Sequence, residues 1–554
     1  MPRNQRIAGV PADLAVILRD VGTLLLMQAG LLSLTVVVAL LFGEFAPALG
    51  FLLAGGVAAG VGEGCRRLFA DAPDPKMKHG MVIAASGWFA TAIFGGLAFF
   101  FVAWLTPVAT MAGYVPAGAS WDPVTVAGAT SRSSLLYFRN PLHAMFESMS
   151  GWTGSGLTMA AHEPSLPRSV QWWRSLIQYV GGVGVIVLTV TILSRPGSGS
   201  YALYRSEARE EKIHPSVVST VRTVWKIFVG YTLLSIGVLF FALWWTQDLP
   251  LFETFWQALN HAMTGLSTGG FSVTDNSIES YNSPLVETVL LPVMALGAIA
   301  FPIHYAVLSN GAWSELYEDV QTRWLFLLFA AGIVVLSAQN LLVGLVPGGY
   351  GATVPSPVPM LSTAELDAIR DGTFQWVSAL SATGFQSSPI GQWSDGGKLV
   401  LSMGMTIGGA AGSTVGGIKI IRGYTVSKGI QWQFSRVFLP QSAVVTAVIG
   451  DRRLDEDAMN REFAEAAIVS LLWVILLLVS SLVLVNVTGP DFSYADALFE
   501  VASAQGNVGL STGITGPEMP AVAETLFLFN MWVGRLEIIP VLVLLRSALK
   551  GLNP

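Results

Sequence analysis

Four short stretches of this chain share one pattern, and that pattern limits the possible folds more than any other feature. Ser150-Gly-Trp-Thr-Gly-Ser-Gly156-Leu157, Thr264-Gly-Leu-Ser-Thr-Gly-Gly270-Phe271, Ser378-Ala-Leu-Ser-Ala-Thr-Gly384-Phe385 and Ser503-Ala-Gln-Gly-Asn-Val-Gly509-Leu510 align on the glycine before Leu or Phe. The aligned glycines lie 114, 114 and 125 residues apart; six residues before each stands a hydroxyl, and five before stands Gly or Ala. Self-similarity at a fixed period marks an internal repeat. Any single copy reads more readily as a small-residue packing seam, but four in register argue for one element built four times.

The chain surrounding these copies belongs in a membrane. Of its 554 residues 52% are hydrophobic and 12% charged, against ~25% charged in soluble domains, and its mean hydropathy is +0.59. The net charge of -6 carries little information, because in membrane proteins the placement of Lys and Arg matters more than their sum. A lone cysteine, Cys65, excludes a disulfide framework and a cysteine-rich metal site. The first apolar run, 21–41, is too long for a cleaved secretory signal and is followed at once by a second. It is expected to remain as a transmembrane helix.

Residues 1–78 read as an N-terminal hairpin with spans at 20–43 and 45–65, and four repeats follow at 79–212, 213–318, 319–455 and 456–554. Each repeat holds an apolar span, a shorter segment ending in the glycine motif, and a second span. The spans fall at 81–106 and 171–194, 222–246 and 285–309, 322–346 and 396–428, 464–487 and 522–547; the short segments fall at 141–155, 251–268, 365–382 and 493–507. Segments of 15 or 18 residues, at ~1.5 Å per residue, fall short of a ~30 Å hydrocarbon layer, so each short segment should enter and leave on one side. The expected fold is an all-α polytopic membrane protein of ten spans and four re-entrant pore helices around a pseudo-fourfold axis. Lys and Arg collect in the N-terminal tail, 66–78, 195–226 and 419–461, which places both termini in the cytoplasm and the glycine motifs facing outwards. Arg132, Arg139, Arg168 and Arg174 run against this count.

Non-helical backbone at membrane depth is tolerated only where it is buried in protein or lines water. Four re-entrant helices around one axis would aim their partly negative C-terminal ends at its centre. The residues that follow would turn carbonyls inward, as in a potassium filter. The expected ligands are the carbonyls of Ser155, Gly156, Gly269, Gly270, Thr383, Gly384, Val508 and Gly509. No carboxylate lies within the motifs, which argues against a calcium or acidic-ring pore. Nine residues before each glycine stands a polar side chain, Glu147, His261, Gln375 or Glu500, expected near the start of its short helix, where an acid suits the positive end.

A second glycine cluster, Gly408-Gly-Ala-Ala-Gly-Ser-Thr-Val-Gly-Gly417, interrupts the last span of the third repeat. Each glycine costs a helix ~1 kcal/mol relative to alanine, so a continuous helix here is not expected. As a phosphate loop it fails on the spacing of its Lys and on its context. A packing seam is the other reading.

With the filter motifs and Gly408–Arg422 in view, nearly the whole chain resembles the TrkH family, the membrane subunits of Trk and Ktr potassium uptake systems. The resemblance implies that 406–417 is an intramembrane gating loop, carried by Gly408, Gly409, Gly412, Ser413, Thr414, Gly416 and Gly417, and that Arg535 in the last span faces it. It implies a homodimer with one pore per chain, a cytoplasmic nucleotide-binding partner of the TrkA type, and residence in the cell (inner) membrane. This chain carries Val415 where the family usually has glycine, and Gly154-Ser155 where a Thr pair is commoner.

Read from residues alone, Arg535 either faces the ion path or pairs with Glu537 or a loop carbonyl, since charge inside a span is costly and usually functional. Lys419 and Arg422 are expected to be interfacial anchors. The six histidines form no HExxH motif or His–carboxylate pair in sequence, and His261 and His304 are expected to be structural. No enzymatic site, cofactor or nucleic-acid partner is expected, and potassium is the expected substrate ion, held at the filter residues only. The rival reading is a proton- or sodium-coupled secondary transporter.

Overall fold

The structure, a computed structural model, describes residues 6–193, 217–343, 363–438, 446–450 and 452–552. Much of the basic stretch 195–226 therefore lies outside the described residues, as do parts of 419–461. Six helices are long and apolar enough to cross a membrane, and two bent helix pairs raise this to eight. Their outward faces carry exposed Leu233, Leu234, Phe241, Val334, Leu471 and Leu482. On such a polytopic chain these side chains meet lipid. The strands among the described residues form three two-stranded hairpins.

The N-terminal hairpin, Ala12–Leu41 and Phe45–Leu68, closes where Gly22 meets Gly62. A Cβ on Gly22 would lie 2.7 Å from the Gly62 carbonyl, so any larger residue would push the helices apart. The hairpin's turn supplies buried Glu44, which accepts from Arg168 N at 2.7 Å and Ser169 N at 3.0 Å. A carboxylate at a helix N-terminus satisfies orphan amides and meets the positive end of the dipole. The hairpin is thereby fastened to the first repeat.

The first helices of the repeats are Met77–Leu105, Val217–Thr246, Val320–Val343 and Glu456–Val487. The short helices are Pro141–Thr153, Leu251–Leu266, Thr363–Leu380 and Tyr494–Gly506. At 1.5 Å per residue the 13-residue copies reach only about 20 Å, too short for a span. Asn140 and Ser493 start the first and fourth with side-chain caps, and the interior sides of all four are buried.

The second helices depart from expectation. Only that of repeat 1, Arg168–Leu193, is one piece. Repeat 3 stops at Ile407 and resumes at Ile420, as its glycines imply. The expected spans 285–309 and 522–547 are each broken: Pro284–Ala298 turns by 103° into Phe301–Asn310, and Ala521–Leu536 by 112° into Ile539–Lys550. The sequence held a signal for both, Pro302 and Pro540 at the first turn of the new helix, where a proline starts a helix but cannot continue one.

Candidate functional site: four glycine turns and the loop packed against them

All four short helices end in the same turn. Gly154, Thr268, Ala382 and Asn507, each two residues before the aligned glycine, are left-handed, with φ of +69°, +52°, +49° and +54°. The next amides, of Ser155, Gly269, Thr383 and Val508, donate back to the carbonyls of Ser150, Thr264, Ser378 and Ser503 at 2.8–2.9 Å. This is the Schellman termination, with its bond from the second residue past the cap to the last full turn. It explains the residue six before the glycine: its carbonyl closes the turn. The residue five before is small because a Cβ on Gly151 would strike Ile177 and one on Gly265 would lie 3.0 Å from Phe385.

The four aligned glycines then take φ of +77°, +74°, +80° and +106°, and they close a ring. A Cβ added to Gly156 would strike the Gly269 carbonyl, one on Gly270 the Thr383 carbonyl, one on Gly384 the Val508 carbonyl, and one on Gly509 the Ser155 carbonyl at 2.6 Å. Each repeat thus presses its glycine on the next repeat's preceding carbonyl, in the order one, two, three, four, one. The structure brings all eight expected filter residues together.

The polar residues nine before the glycines sit mid-helix and not at the helix start, which corrects the dipole expectation. They brace the chain beyond the ring. Glu147 accepts from Thr158 Oγ1 at 3.0 Å and Met159 N at 2.8 Å; His261 bonds Ser272 Oγ at 2.9 Å; Gln375 donates to Ser387 Oγ at 3.1 Å; Glu500 accepts from Ser511 Oγ at 2.6 Å and Thr512 N at 2.8 Å. Arg174 joins two repeats, donating to Glu147 at 2.6 Å and to the Ser272 carbonyl at 2.8 Å.

A second ring of contacts, unforeseen in the sequence, ties each repeat's second helix to the next repeat's short helix. Arg168 pairs with Glu253 at 2.6 Å, Glu287 with Arg370 at 2.5 Å, Lys398 with Asp496 at 2.6 Å, and Glu524 with His143 at 2.9 Å. No local pattern reveals these pairs, because the partners lie up to 381 residues apart.

The glycine loop of repeat 3 fills the break in repeat 2. Ala410 N donates to the Ala298 carbonyl and Thr414 N to the Gly297 carbonyl, both at 3.2 Å, while Phe301 N donates to the Gly412 carbonyl at 3.0 Å. The break therefore leaves these backbone groups paired. The loop's neck closes through Ile418 N to Thr406 O and Lys419 N to Ile407 O, both at 3.0 Å, and Gln321 accepts from Ala411 N at 2.7 Å. Gly408, Gly412 and Gly417 take φ of +69°, +79° and +85°, which only glycine adopts without strain. The loop also touches the ends of the short helices: Thr414 Oγ1 lies 2.8 Å from Thr268 Oγ1, and a Cβ on Gly416 would strike the Gly506 carbonyl.

Arg535 sits one residue before the end of its half-helix and is buried. It donates to the Thr414 carbonyl at 2.6 Å and to the Gly181 and Gly182 carbonyls at 2.9 and 3.2 Å. A Cβ on Gly154 would come within 3.9 Å of its Nη1, so the guanidinium reaches the base of the first glycine turn. Glu537 pairs with Arg422 instead. Lys419 and Arg422 are buried, the former donating to the Val415 carbonyl. They are packed parts of the loop and not interfacial anchors, because the loop folds back over them.

Folding also makes the His–carboxylate pairs that are missing from the sequence, His79–Asp13, His143–Glu524 and His162–Asp275 at 2.8, 2.9 and 3.2 Å. His261 and His304 are buried and hydrogen-bonded, the latter to the Leu296 carbonyl at 2.9 Å. Among the described residues, no group of three His, Cys, Asp or Glu side chains could hold a metal ion.

Several helices long and apolar enough to cross a membrane, packed around a buried ring of backbone turns, are the frame of a multi-pass membrane protein. The family model of TrkH, described as a cation transport protein, matches residues 79–550, and the chain belongs to that family. It is 31% identical over 432 residues to an uncharacterized cation transporter of Methanocaldococcus jannaschii, covering 78% of this chain and 81% of that one. It is 26% identical over 548 residues to the Trk system potassium uptake protein TrkH of Halomonas elongata, covering 97% and 99%. The crystal structure of the potassium transporter TrkH from Vibrio parahaemolyticus superimposes with a TM-score of 0.75 at 22% identity, covering 97% of this chain and 99% of that one.

Proposed function

We propose that this chain is the potassium-selective conducting subunit of a Trk-type uptake system. The observation that carries the reading is the closed ring in which Gly156, Gly270, Gly384 and Gly509 each abut the next repeat's carbonyl. Carbonyls of Ser155, Gly156, Gly269, Gly270, Thr383, Gly384, Val508 and Gly509 replace the ion's hydration shell. The loop 406–417, with Gly408, Gly409, Gly412, Ser413, Thr414, Gly416 and Gly417, is the gate, and Arg535 latches it. Potassium is the substrate, and this chain binds no cofactor. The relatives named as potassium uptake proteins support the choice of ion. By the family resemblance the chain works as a homodimer in the cell (inner) membrane with a cytoplasmic nucleotide-binding partner of the TrkA type. By the placement of Lys and Arg both its termini are cytoplasmic.

Reversal potentials of the purified protein in liposomes test this. They should follow the potassium gradient far more closely than the sodium gradient. A potential that follows proton or sodium gradients instead would favour the coupled transporter.

A further inference from the structure

The ring is not fourfold in chemistry. The residue before the aligned glycine carries a side chain in three repeats, Ser155, Thr383 and Val508, but is Gly269 in the second. Gly269 is not among the positive-φ residues, so its backbone does not require glycine. Space does: a Cβ there would lie 2.6 Å from both Cδ and Oε1 of Gln178. Gln178, fully buried, comes from the second helix of the first repeat. Its Nε2 donates to the Gly269 carbonyl at 2.6 Å and its Oε1 accepts from Phe271 N at 2.9 Å.

Glycine packing gives the matching positions in other repeats. A Cβ on Gly181, Gly297 or Gly534 would strike the end of its own short helix, at the carbonyls of Trp152, Leu266 and Gln505. Three residues before these glycines stand Gln178, Met294 and Met531. Only the first has an amide, and it faces the quadrant whose own side chain is missing. Gly269-Gly270 is a pair of adjacent glycines, the most flexible backbone in the ring.

We propose that Gln178 is a positioning residue for ion selectivity, standing in for the side chain that Gly269 lacks. Its two hydrogen bonds hold the Gly269–Gly270 peptide so that the Gly269 carbonyl keeps its place. A carbonyl oxygen has two lone pairs, so the bond from Gln178 leaves one for an ion. This inference rests on the filter reading above. With Gln178 in place two hydrogen bonds hold the second quadrant; without it two adjacent glycines are free to move inward and the ring can shrink around sodium.

The experiment measures potassium-to-sodium permeability ratios in liposomes for the parent, Gln178→Met, and the double variant Gln178→Ala with Gly269→Ser. Gln178→Met keeps the volume and copies repeats 2 and 4. It should retain potassium flux but lower the ratio by roughly three- to tenfold, the scale of one to two ordinary hydrogen bonds. The double variant rebuilds the pattern of Ser155 and should recover most of the ratio, whereas Gly269→Ser alone, colliding with Gln178, should not. A Gln178→Met protein as selective as the parent would overturn the proposal, and so would a double variant that stays unselective. A parent that does not prefer potassium would sink the filter reading itself, a different result.

Discussion

The Arg535 guanidinium donates to the Thr414 carbonyl at 2.6 Å, joining the break in the last helix to the middle of the glycine loop. The carboxylate nearest in sequence, Glu537, is engaged by Arg422, so among the described residues Arg535 meets carbonyl dipoles, which screen its charge only in part, and no counter-ion. At about 6 Å and an effective dielectric near 20, a unit charge repels a passing cation by ~3 kcal/mol. Arg535→Gln should therefore raise single-channel conductance or open probability. Arg535→Lys should keep most of the barrier while losing the forked contact to Thr414 and Gly181. Recordings in which a folded Arg535→Gln conducts no better than the parent would make this residue a clamp only.

Thr414 serves the loop twice, through Oγ1 to Thr268 and to the Gly297 carbonyl, at 2.8 and 2.9 Å. Thr414→Val keeps the shape and removes both bonds, each worth ~1 kcal/mol. Basal rubidium flux without any partner protein should rise several-fold. Unchanged flux would show that the loop's other bonds, to Gly297, Ala298, Phe301, Gln321 and Arg535, hold it without the hydroxyl.

Gly384 adopts φ of +80° and leaves no room for a Cβ beside the Val508 carbonyl. Gly384→Ala therefore adds a backbone cost of ~1–2 kcal/mol and a collision within the ring. Potassium preference should fall sharply in sodium competition assays. A variant that discriminates like the parent would remove Gly384 from the selective element.

The glycine turns, the short helices and the interrupted helix were legible because each rests on local chemistry. A residue six before a glycine closes a Schellman turn within one segment, and five glycines within Gly408–Gly417 stop a helix wherever they fall. The breaks at Ile299 and Glu537 were harder to read, because long apolar runs masked Pro302 and Pro540. Glu147 and Glu500 stand out in the sequence by position but not by partner, since their ligands are the backbone and hydroxyls about eleven residues on, which meet them only after the chain turns. The burial of Lys419 and Arg422 and the four side-chain pairs between repeats were not legible at all. Lys419 is buried because the loop folds back on its own Val415 carbonyl, while Arg422 and the inter-repeat pairs find their partners in other repeats, and no spacing rule connects Lys398 to Asp496.

In the loop after the first ring turn, burial pushes the Glu163 carboxyl up to about 7 from its ordinary 4.5, with Arg174 holding it back. The folded protein thus binds a proton that the unfolded chain releases between those values, so stability falls as pH rises through that window. Glu163→Gln should leave the melting temperature near the parent's at pH 4.5 and raise it relative to the parent's at pH 8. Parallel melting curves across that range would mean that Glu163 ionises freely in the fold.

Lys398 and Asp496 are 6% and 9% exposed and 2.6 Å apart, which makes theirs one of the most buried pairs in the ring that joins the repeats. Their mutual attraction need not exceed the desolvation of two charges, but removing one partner leaves the other uncompensated, at a cost of ~3–5 kcal/mol. Asp496 also accepts from Ser493 N at 2.8 Å in the cap of the fourth short helix, so its carboxylate has a second task that Lys398 lacks. Lys398→Met should consequently lower the thermal midpoint markedly, and adding Asp496→Asn, which retains a cap acceptor and removes the stranded charge, should recover part of the loss. Selectivity in the recovered double variant should match the parent's, because neither residue is among the nearest neighbours of the four ring glycines. A double variant no more stable than Lys398→Met would show that the lysine's packing, and not its charge, joins the third repeat to the fourth.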